Sequence, residues 1–131
     1  MKVYLVDYIG MHCGMHYYND AFCRVLSAVP GLDVSVLSNY AGENDGRPFF
    51  LHQYKGNRLR KICCLLRNYL MLFCFVLRNK KACFVYLAYG NSIDLPFMYI
   101  VSLAKKSIID IHEAIAQNAD DNAGLKRCFR K

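Results

Sequence analysis

Apolar positions along the chain follow two spacings, which together predict strands that alternate with helices. Four short runs are apolar at every position or at every second one, which is typical of strands. They are residues 3–9, 32–37, 82–87 and 107–111. Three longer segments carry apolar residues three or four positions apart, the spacing of one helix face. They are residues 15–29, 58–79 and 94–106.

This alternation predicts the α/β fold class. A further, shorter strand is expected over residues 49–54, at the edge of the sheet. Strands joined by helices run parallel and cross over in the right-handed sense. We therefore expect a Rossmann-like doubly wound parallel sheet with helices on both faces and, numbered along the chain, the order 3-2-1-4-5. The 131 residues suffice for one domain or a large part of one.

Three predicted loops meet where such a sheet binds ligands, outside the carboxyl ends of its strands. They are Gly10–Gly14, Tyr89–Ser92 and His112–Glu113. Side chains and backbone of these loops are the candidate site, with Tyr89 and Asn91 lining the cleft.

The glycine loop precedes a helix, so its backbone and the free N–H groups of that helix suit a phosphate. A tight strand-to-helix turn explains the same glycines, because neither GxGxxG nor GxxxxGK[ST] is present. NAD is disfavoured, since Ser38 and Asn39 stand where the ribose-binding acid is expected.

Histidines supply the other candidate chemistry. His112 ends the last strand beside Glu113, where an imidazole can bond a sugar hydroxyl or a developing charge; a structural histidine is the alternative. His12, Cys13 and His16 form an HCxxH cluster, but zinc needs three or four convergent ligands. We expect no metal there, and interpret His12 and His16 as polar lining of the cleft or as structural residues.

Charge and cysteine content narrow the partners and the compartment. The net charge of +7 favours anionic partners, but no nucleic-acid motif accompanies it, so no nucleic-acid partner is expected. The seven cysteines form no CxxC pair, which indicates reduced thiols in the cytoplasm. Asp7 interrupts the first apolar run, so a signal peptide is not expected.

The longest predicted helix becomes apolar on every side in its second half, residues 69–77. Nine residues are too few to cross a bilayer, which needs about 20. The pattern favours burial of this half. Peripheral contact with the inner face of a membrane is the alternative, because Arg67, Arg78, Lys80 and Lys81 bracket the segment. Residues 114–131 have no clear pattern and end in a basic tail.

Several stretches together resemble the N-terminal domain of GT-B fold glycosyltransferases, in particular family 4, often described as glycosyltransferase family 1 proteins. They are the opening MKVYLVDYIG, Gly14 before a helix, PGLDVSVLS at the second strand and SIIDIHE at the last. The resemblance covers Met1 to about Glu113. The family commonly has two adjacent glycines where this chain has Cys13-Gly14.

The resemblance implies the acceptor-binding part of a retaining transferase that takes sugar from a nucleotide sugar, as in polysaccharide biosynthesis, without metal or other cofactor. His112 maps to the catalytic position near the transferred sugar. Gly10, Cys13 and Gly14 map to the donor-phosphate loop. His12, His16, Tyr89, Asn91 and Glu113 are assigned to the acceptor cleft.

The resemblance also implies that residues 1–131 are a single, truncated domain. The family's donor-binding domain has no counterpart here, so the chain alone is expected to be inactive and to need a C-terminal domain or a separate chain as partner. The alternative function is a non-catalytic Rossmann-like module that docks a partner or an anionic membrane surface through its long basic helix.

Overall fold

The computed structural model describes residues 1–10, 15–40, 48–51 and 57–111, with the side chains of residues 15 and 16 excepted. Within these ranges the chain forms four strands and three helices. The strands are β1 (Lys2–Asp7), β2 (Asp33–Ser38), β3 (Cys83–Ala88) and β4 (Lys106–Ile111). The helices are α1 (Met15–Ser27), α2 (Arg58–Arg78) and α3 (Asp94–Ser102).

The strands form one parallel sheet in the order β2-β1-β3-β4. This confirms the doubly wound α/β fold, and it places the topological switch between β1 and β3. The predicted five-strand order differs from the sheet observed. Residues 49–51 of the expected edge strand are irregular, and Phe50 N–H donates to the carbonyl of Ser38, the last residue of β2, at 2.9 Å. The rest of that expected strand lies outside the described residues.

Helices cover both faces of the sheet, as expected. Strand side chains alternate between the faces, so β1 sends Val3 and Leu5 to the α1 face and Tyr4 and Val6 to the other. Phe22, Cys23 and Leu26 of α1 pack on the first face. The second face carries the larger core, to which α2 and α3 contribute Leu72, Val76, Phe97 and Val101.

Helix α2 begins and ends at asparagines. Asn57 is the N-cap, and its Oδ1 accepts from Arg60 N–H at 3.0 Å. Asn79 is the C-cap, and its backbone N–H reaches the carbonyls of Phe75 and Val76. Between them Asn68 is fully buried, where it accepts from Leu51 N–H at 3.0 Å and donates to the Leu51 carbonyl at 3.2 Å. The helix is therefore fastened to the segment that follows β2.

Burial of α2 is one-sided, so the prediction that residues 69–77 are buried is correct for one face only. Leu72 and Val76 are buried, whereas Leu70, Phe73 and Leu77 in the same segment are exposed. Among the described helices, none is both long and apolar enough to cross a membrane.

The end of the described chain is less covered than the centre of the sheet. Helix α3 ends at Ser102, four residues before the predicted end, because a turn through Leu103 and Ala104 leads directly into β4. Ile108, Ile109 and Ile111 on β4 are all exposed, while every residue of β3 is buried.

Candidate functional site

Asp7, at the carboxyl end of β1, organises the edge of the sheet where the ligand site is expected. Its side chain is completely buried. Oδ1 accepts from the backbone N–H groups of Ile9 and Gly10 at 3.2 and 2.9 Å and from Tyr89 OH at 2.5 Å. Oδ2 accepts from Asn19 Nδ2 on α1 at 2.6 Å. One carboxylate therefore holds together the loop after β1, helix α1 and the loop after β3.

Gly10 is a glycine because of this carboxylate. A Cβ built there would lie 2.9 Å from Asp7 Cγ and 2.9 Å from Tyr40 Cε1, closer than Cβ atoms approach other groups in proteins, and it would also collide with Asp7 Oδ2. Packing within the protein thus explains the first glycine of the predicted phosphate loop without a ligand.

Tyr89 connects the two sides of the topological switch. Its hydroxyl donates to Asp7, and its backbone N–H donates to Asp94 Oδ2 at 2.9 Å. Asp94 is also buried, and it accepts from Asn91 N–H at 3.0 Å and from Tyr86 OH at 2.7 Å. Burial, followed by the adjacent Asp94 charge, raises the pKa of Tyr86. Two buried aspartates therefore fix the loop after β3 at both of its ends.

Asn19 and Tyr40 extend the cluster toward β2. Asn19 Nδ2 also donates to Tyr40 OH at 2.8 Å, and burial raises the pKa of that phenol to about 12. Asn19 is fully buried, yet its Oδ1 has no hydrogen-bond partner within the described part of the chain. A buried acceptor without a donor costs about 1–3 kcal/mol, so this atom is the point of the cluster where a further donor would add stability.

The two buried carboxylates of this cluster act as a structural frame, because their hydrogen bonds hold the loops after β1 and β3 in place. Backbone and side-chain groups of the protein donate hydrogen bonds to Asp7 and Asp94, and both carboxylates are shielded from solvent. A general base or metal ligand must reach its substrate or ion, and these two are occupied and enclosed. In the described ranges, no group of three or more His, Cys, Asp or Glu side chains could hold a metal ion.

The structure describes three of the predicted site residues in full. Gly10, Tyr89 and Asn91 all lie at the carboxyl edge, with Tyr89 half-buried and Asn91 exposed. Asn91 Oδ1 accepts from Ile93 N–H at 3.1 Å and so stabilises its own loop. The N-cap of α3 is Ile93, without a side-chain hydrogen bond. The remaining predicted site residues lie outside the described residues: His12, Cys13, Gly14, His112 and Glu113. His16 belongs to α1, but its side chain is not described.

Sequence reasoning did not assign Asp7, Asn19 or Tyr40 to the site. The signal for Asp7 was present, because an acid inside an apolar parallel strand must have buried donors. Asn19 and Tyr40 gave no such signal, since polar residues on a surface helix and in a loop are common.

A second candidate feature is the exposed side of α2. Large apolar side chains recur there every three or four residues and form what we call the α2 stripe: Leu59, Ile62, Leu66, Leu70, Phe73 and Leu77. At 100° per residue, Arg60, Arg67 and Arg78 share the strip beside it. The helix carries no acidic residue.

The α2 stripe leads into a basic groove at the amino end of the sheet. This groove, of about 590 Å³, is lined by Leu77, Arg78, Lys80, Lys81 and Lys2 among others. It lies at the end of the sheet opposite Asp7, so this groove does not coincide with the predicted ligand site. The apolar stripe and the basic groove together form one surface.

Comparisons with protein-family models, curated protein sequences and solved structures give no significant match to this chain.

Proposed function

We propose that this chain is the acceptor-side part of a glycosyltransferase that transfers sugar from a nucleotide sugar to a glycan or lipid-linked acceptor. The observation that carries the proposal is the hydrogen-bonded carboxyl edge at the topological switch, where Tyr89 ties the loop after β1 to the loop after β3. Doubly wound folds bind nucleotide and sugar ligands in this crevice.

Two further points support the assignment. β4 ends at Ile111, so His112 follows directly from the strand beside β3, as the resemblance requires of its catalytic histidine. The buried frame of Asp7 and Asp94 holds the surrounding loops without taking part in chemistry. In this proposal the catalytic and acceptor-binding contacts come from His112, from residues 12–14 and from exposed Asn91.

Ligand-observed NMR on the full chain tests this function, with short glycans, a short-chain prenyl-phosphate sugar, UDP-glucose and GDP-mannose as probes. We expect an acceptor probe to bind, and His112→Ala and Asn91→Ala each to weaken it about tenfold, the effect of losing one ligand hydrogen bond of about 1.4 kcal/mol. Lys81→Ala, at the opposite end of the sheet, serves as the control and should bind as wild type does. The proposal is contradicted if no acceptor probe binds. It is also contradicted if the His112→Ala and Asn91→Ala variants bind the acceptor probe as tightly as wild type does.

The α2 stripe favours a second candidate function, a module that docks on an anionic membrane surface. Six partly exposed apolar side chains contribute several kcal/mol when they enter the headgroup region, at about 25 cal/mol per Å² of apolar area. Each nearby Lys or Arg adds about 1 kcal/mol at an anionic surface. A helix with an apolar face, an adjacent arginine strip and no acid combines both contributions.

Vesicle co-sedimentation with phosphatidylglycerol and phosphatidylcholine tests the docking function. We expect binding to the anionic vesicles only, falling steeply between low and physiological salt because the exposed charges are screened. Leu70→Glu should weaken binding more than tenfold, while Val25→Glu, an equally exposed apolar position on α1, should not. A second comparison tests charge: Arg67→Glu on α2 should weaken binding, while the control Arg24→Glu on α1 should not.

Position-specific protection tells docking through α2 from docking through another basic surface. Cys63 and Cys74 are exposed on α2, beside the stripe. Their maleimide labelling, followed by peptide mass, should slow when anionic vesicles are added. Unchanged labelling rates, or Leu70→Glu that binds as wild type does, would rule the α2 surface out. Neither result bears on the transferase proposal, which stands on acceptor binding at the other end of the sheet.

A further inference from the structure

Within residues 1–10, 15–40, 48–51 and 57–111, no strand pairs with the outer edge of β4, and large apolar side chains on this strand are exposed. Among the described residues it pairs with β3 alone, so one side of its backbone has no strand neighbour. Ile108 is 56% exposed and Ile111 54% exposed, and the alternation of the strand places them on opposite faces. An exposed apolar edge strand is a template for pairing with another strand.

The opposite edge of the sheet differs. β2 begins with the charged Asp33 and ends buried at Leu37 and Ser38. Beyond it, Phe50 N–H donates to the Ser38 carbonyl at 2.9 Å, so the following segment covers the end of this strand. Charged side chains and a covering segment are the usual features that keep an edge strand from pairing with another chain. Strand β4 has charged side chains, but the isoleucines between them are exposed.

The sequence of β4, Lys-Ser-Ile-Ile-Asp-Ile, is suited to pairing with itself. Lys106 and Asp110 lie two residues either side of Ile108, and all three share the face of the sheet that α1 covers, since their β3 partners are Cys83, Val85 and Leu87. In an antiparallel pair of strands, residues directly opposite each other lie on the same face of the sheet. Because side chains alternate along a strand, a pair related by a two-fold axis must have one residue at the axis, opposite the same residue of the second copy.

Pairing about Ile108 gives the complementary arrangement. Ile108 then faces Ile108 of the second copy, and Lys106 faces Asp110 in both directions, while Asp110 Oδ2 also accepts from Tyr18 OH of its own copy at 3.3 Å. Opposite charges directly across an antiparallel pair are stabilising. Pairing about Ile109 instead sets Ile108 against Asp110, which mismatches an apolar and a charged side chain.

We propose that β4 pairs antiparallel with β4 of a second copy of this chain, centred on Ile108, so that the four-stranded sheets formed by the described residues of the two copies become continuous. The two-fold axis runs perpendicular to the sheet and keeps both copies of α2 on the same face. If the membrane-docking function holds, the pair presents two α2 stripes to one surface and gains affinity by avidity. The pairing itself does not depend on that function.

Sedimentation velocity and light scattering of the full chain test the pairing, up to about 100 µM because small interfaces give weak complexes. Wild type should approach twice 15.1 kDa as concentration rises. Ile108→Glu should give a folded monomer, since two carboxylates then meet at the axis. Lys106→Glu should weaken the dimer at least about fivefold by setting like charges opposite each other.

The decisive variant carries both Lys106→Asp and Asp110→Lys. Among the two-fold symmetric registers, only the one centred on Ile108 sets residue 106 opposite residue 110, so only this register regains opposite charges. The double variant should recover the wild-type dimerisation constant. Lys105→Glu, the same charge change one residue before the strand, is the control and should dimerise as wild type does. A wild type that stays monomeric, a dimer indifferent to Ile108→Glu, or a double variant as weak as Lys106→Glu overturns the proposal. Far-ultraviolet circular dichroism of each monomeric variant separates lost pairing from lost folding.

Discussion

The two ends of the parallel sheet treat charge in opposite ways. At the carboxyl end Asp7 and Asp94 are buried, and backbone N–H groups and tyrosine hydroxyls bond them. At the amino end Lys2, Lys80, Lys81, Lys105 and Lys106 are all exposed. Parallel strands make this separation possible, because all their carboxyl ends meet at one edge and all their amino ends at the other.

The difference shows which end of the sheet holds its side chains and loops in a fixed geometry. A buried carboxylate with several donors fixes its surroundings, since moving any donor leaves a polar group unpaired. Exposed lysines keep their hydration and many rotamers, and so act through long-range attraction and not through fixed geometry. The fixed geometry of the carboxyl end suits the proposed transferase site, and the exposed charge of the amino end suits the proposed docking on an anionic surface.

The largest effect that would test this contrast is expected from Asp7→Ala. It leaves two backbone N–H groups, Asn19 Nδ2 and Tyr89 OH without their acceptor, so the free energy of unfolding should fall by about 3 kcal/mol or more. Urea denaturation at neutral pH measures it. Asp33→Ala is the matched control at the amino end, where the side chain is 69% exposed and pairs with Lys2 at 3.7 Å. Its cost should be below about 0.5 kcal/mol, and equal costs at the two ends would refute the contrast.

A smaller loss is expected from Gly10→Ala. The added methyl group must displace Asp7 or the Tyr40 ring, and overpacking of this kind costs about 1–3 kcal/mol. Gly31→Ala provides the comparison, because Gly31 has open space around its Cα and only its φ of 84° opposes a side chain. That strain costs about 1 kcal/mol. If Gly10→Ala is no worse than Gly31→Ala in urea denaturation, the close packing described around Asp7 is incorrect.

The smallest effect is a pH dependence in the alkaline range. The pKa of Tyr40 is raised to about 12 by burial, from an ordinary value of 10.0. Between these values the unfolded chain has lost the proton and the folded chain keeps it, so stability is complete below pH 10 and decreases as pH rises toward 12. Tyr40→Phe should reduce the slope of unfolding free energy against pH in this window, with Tyr99→Phe at an exposed position as control. Identical slopes for wild type and Tyr40→Phe would show that the phenol is not buried as described.

Much of the fold could be predicted because it depends on local pattern. The apolar runs located all four strands to within one or two residues, and the period of three to four located the three helices. The expected strand at residues 49–54 was wrong over residues 49–51, which have apolar side chains but serve to cover β2 and to bond Asn68. A short apolar run has the same pattern whether it pairs as a strand or packs as a loop.

The candidate site could be predicted only as a location. Gly10, Tyr89 and Asn91 were expected at the carboxyl edge because topology alone brings their loops together. The roles of Gly10 and Tyr89 could not be predicted from the sequence. Gly10 is required because a Cβ there would collide with Asp7 and Tyr40, and Tyr89 is held by two aspartates that are far apart in the sequence.

By itself, the sequence determined the order of elements, the parallel sheet, the position of its switch and the concentration of positive charge along α2, since each depends on residue type and spacing. Only the tertiary structure decided which face of α2 is buried and which becomes the stripe, because both faces are apolar and packing against β1 and β3 chooses between them. It also decided that the Asp7 carboxylate ties together the loops at this edge of the sheet. That role depends on donors from residues 9, 10, 19 and 89, which meet only when the chain is folded.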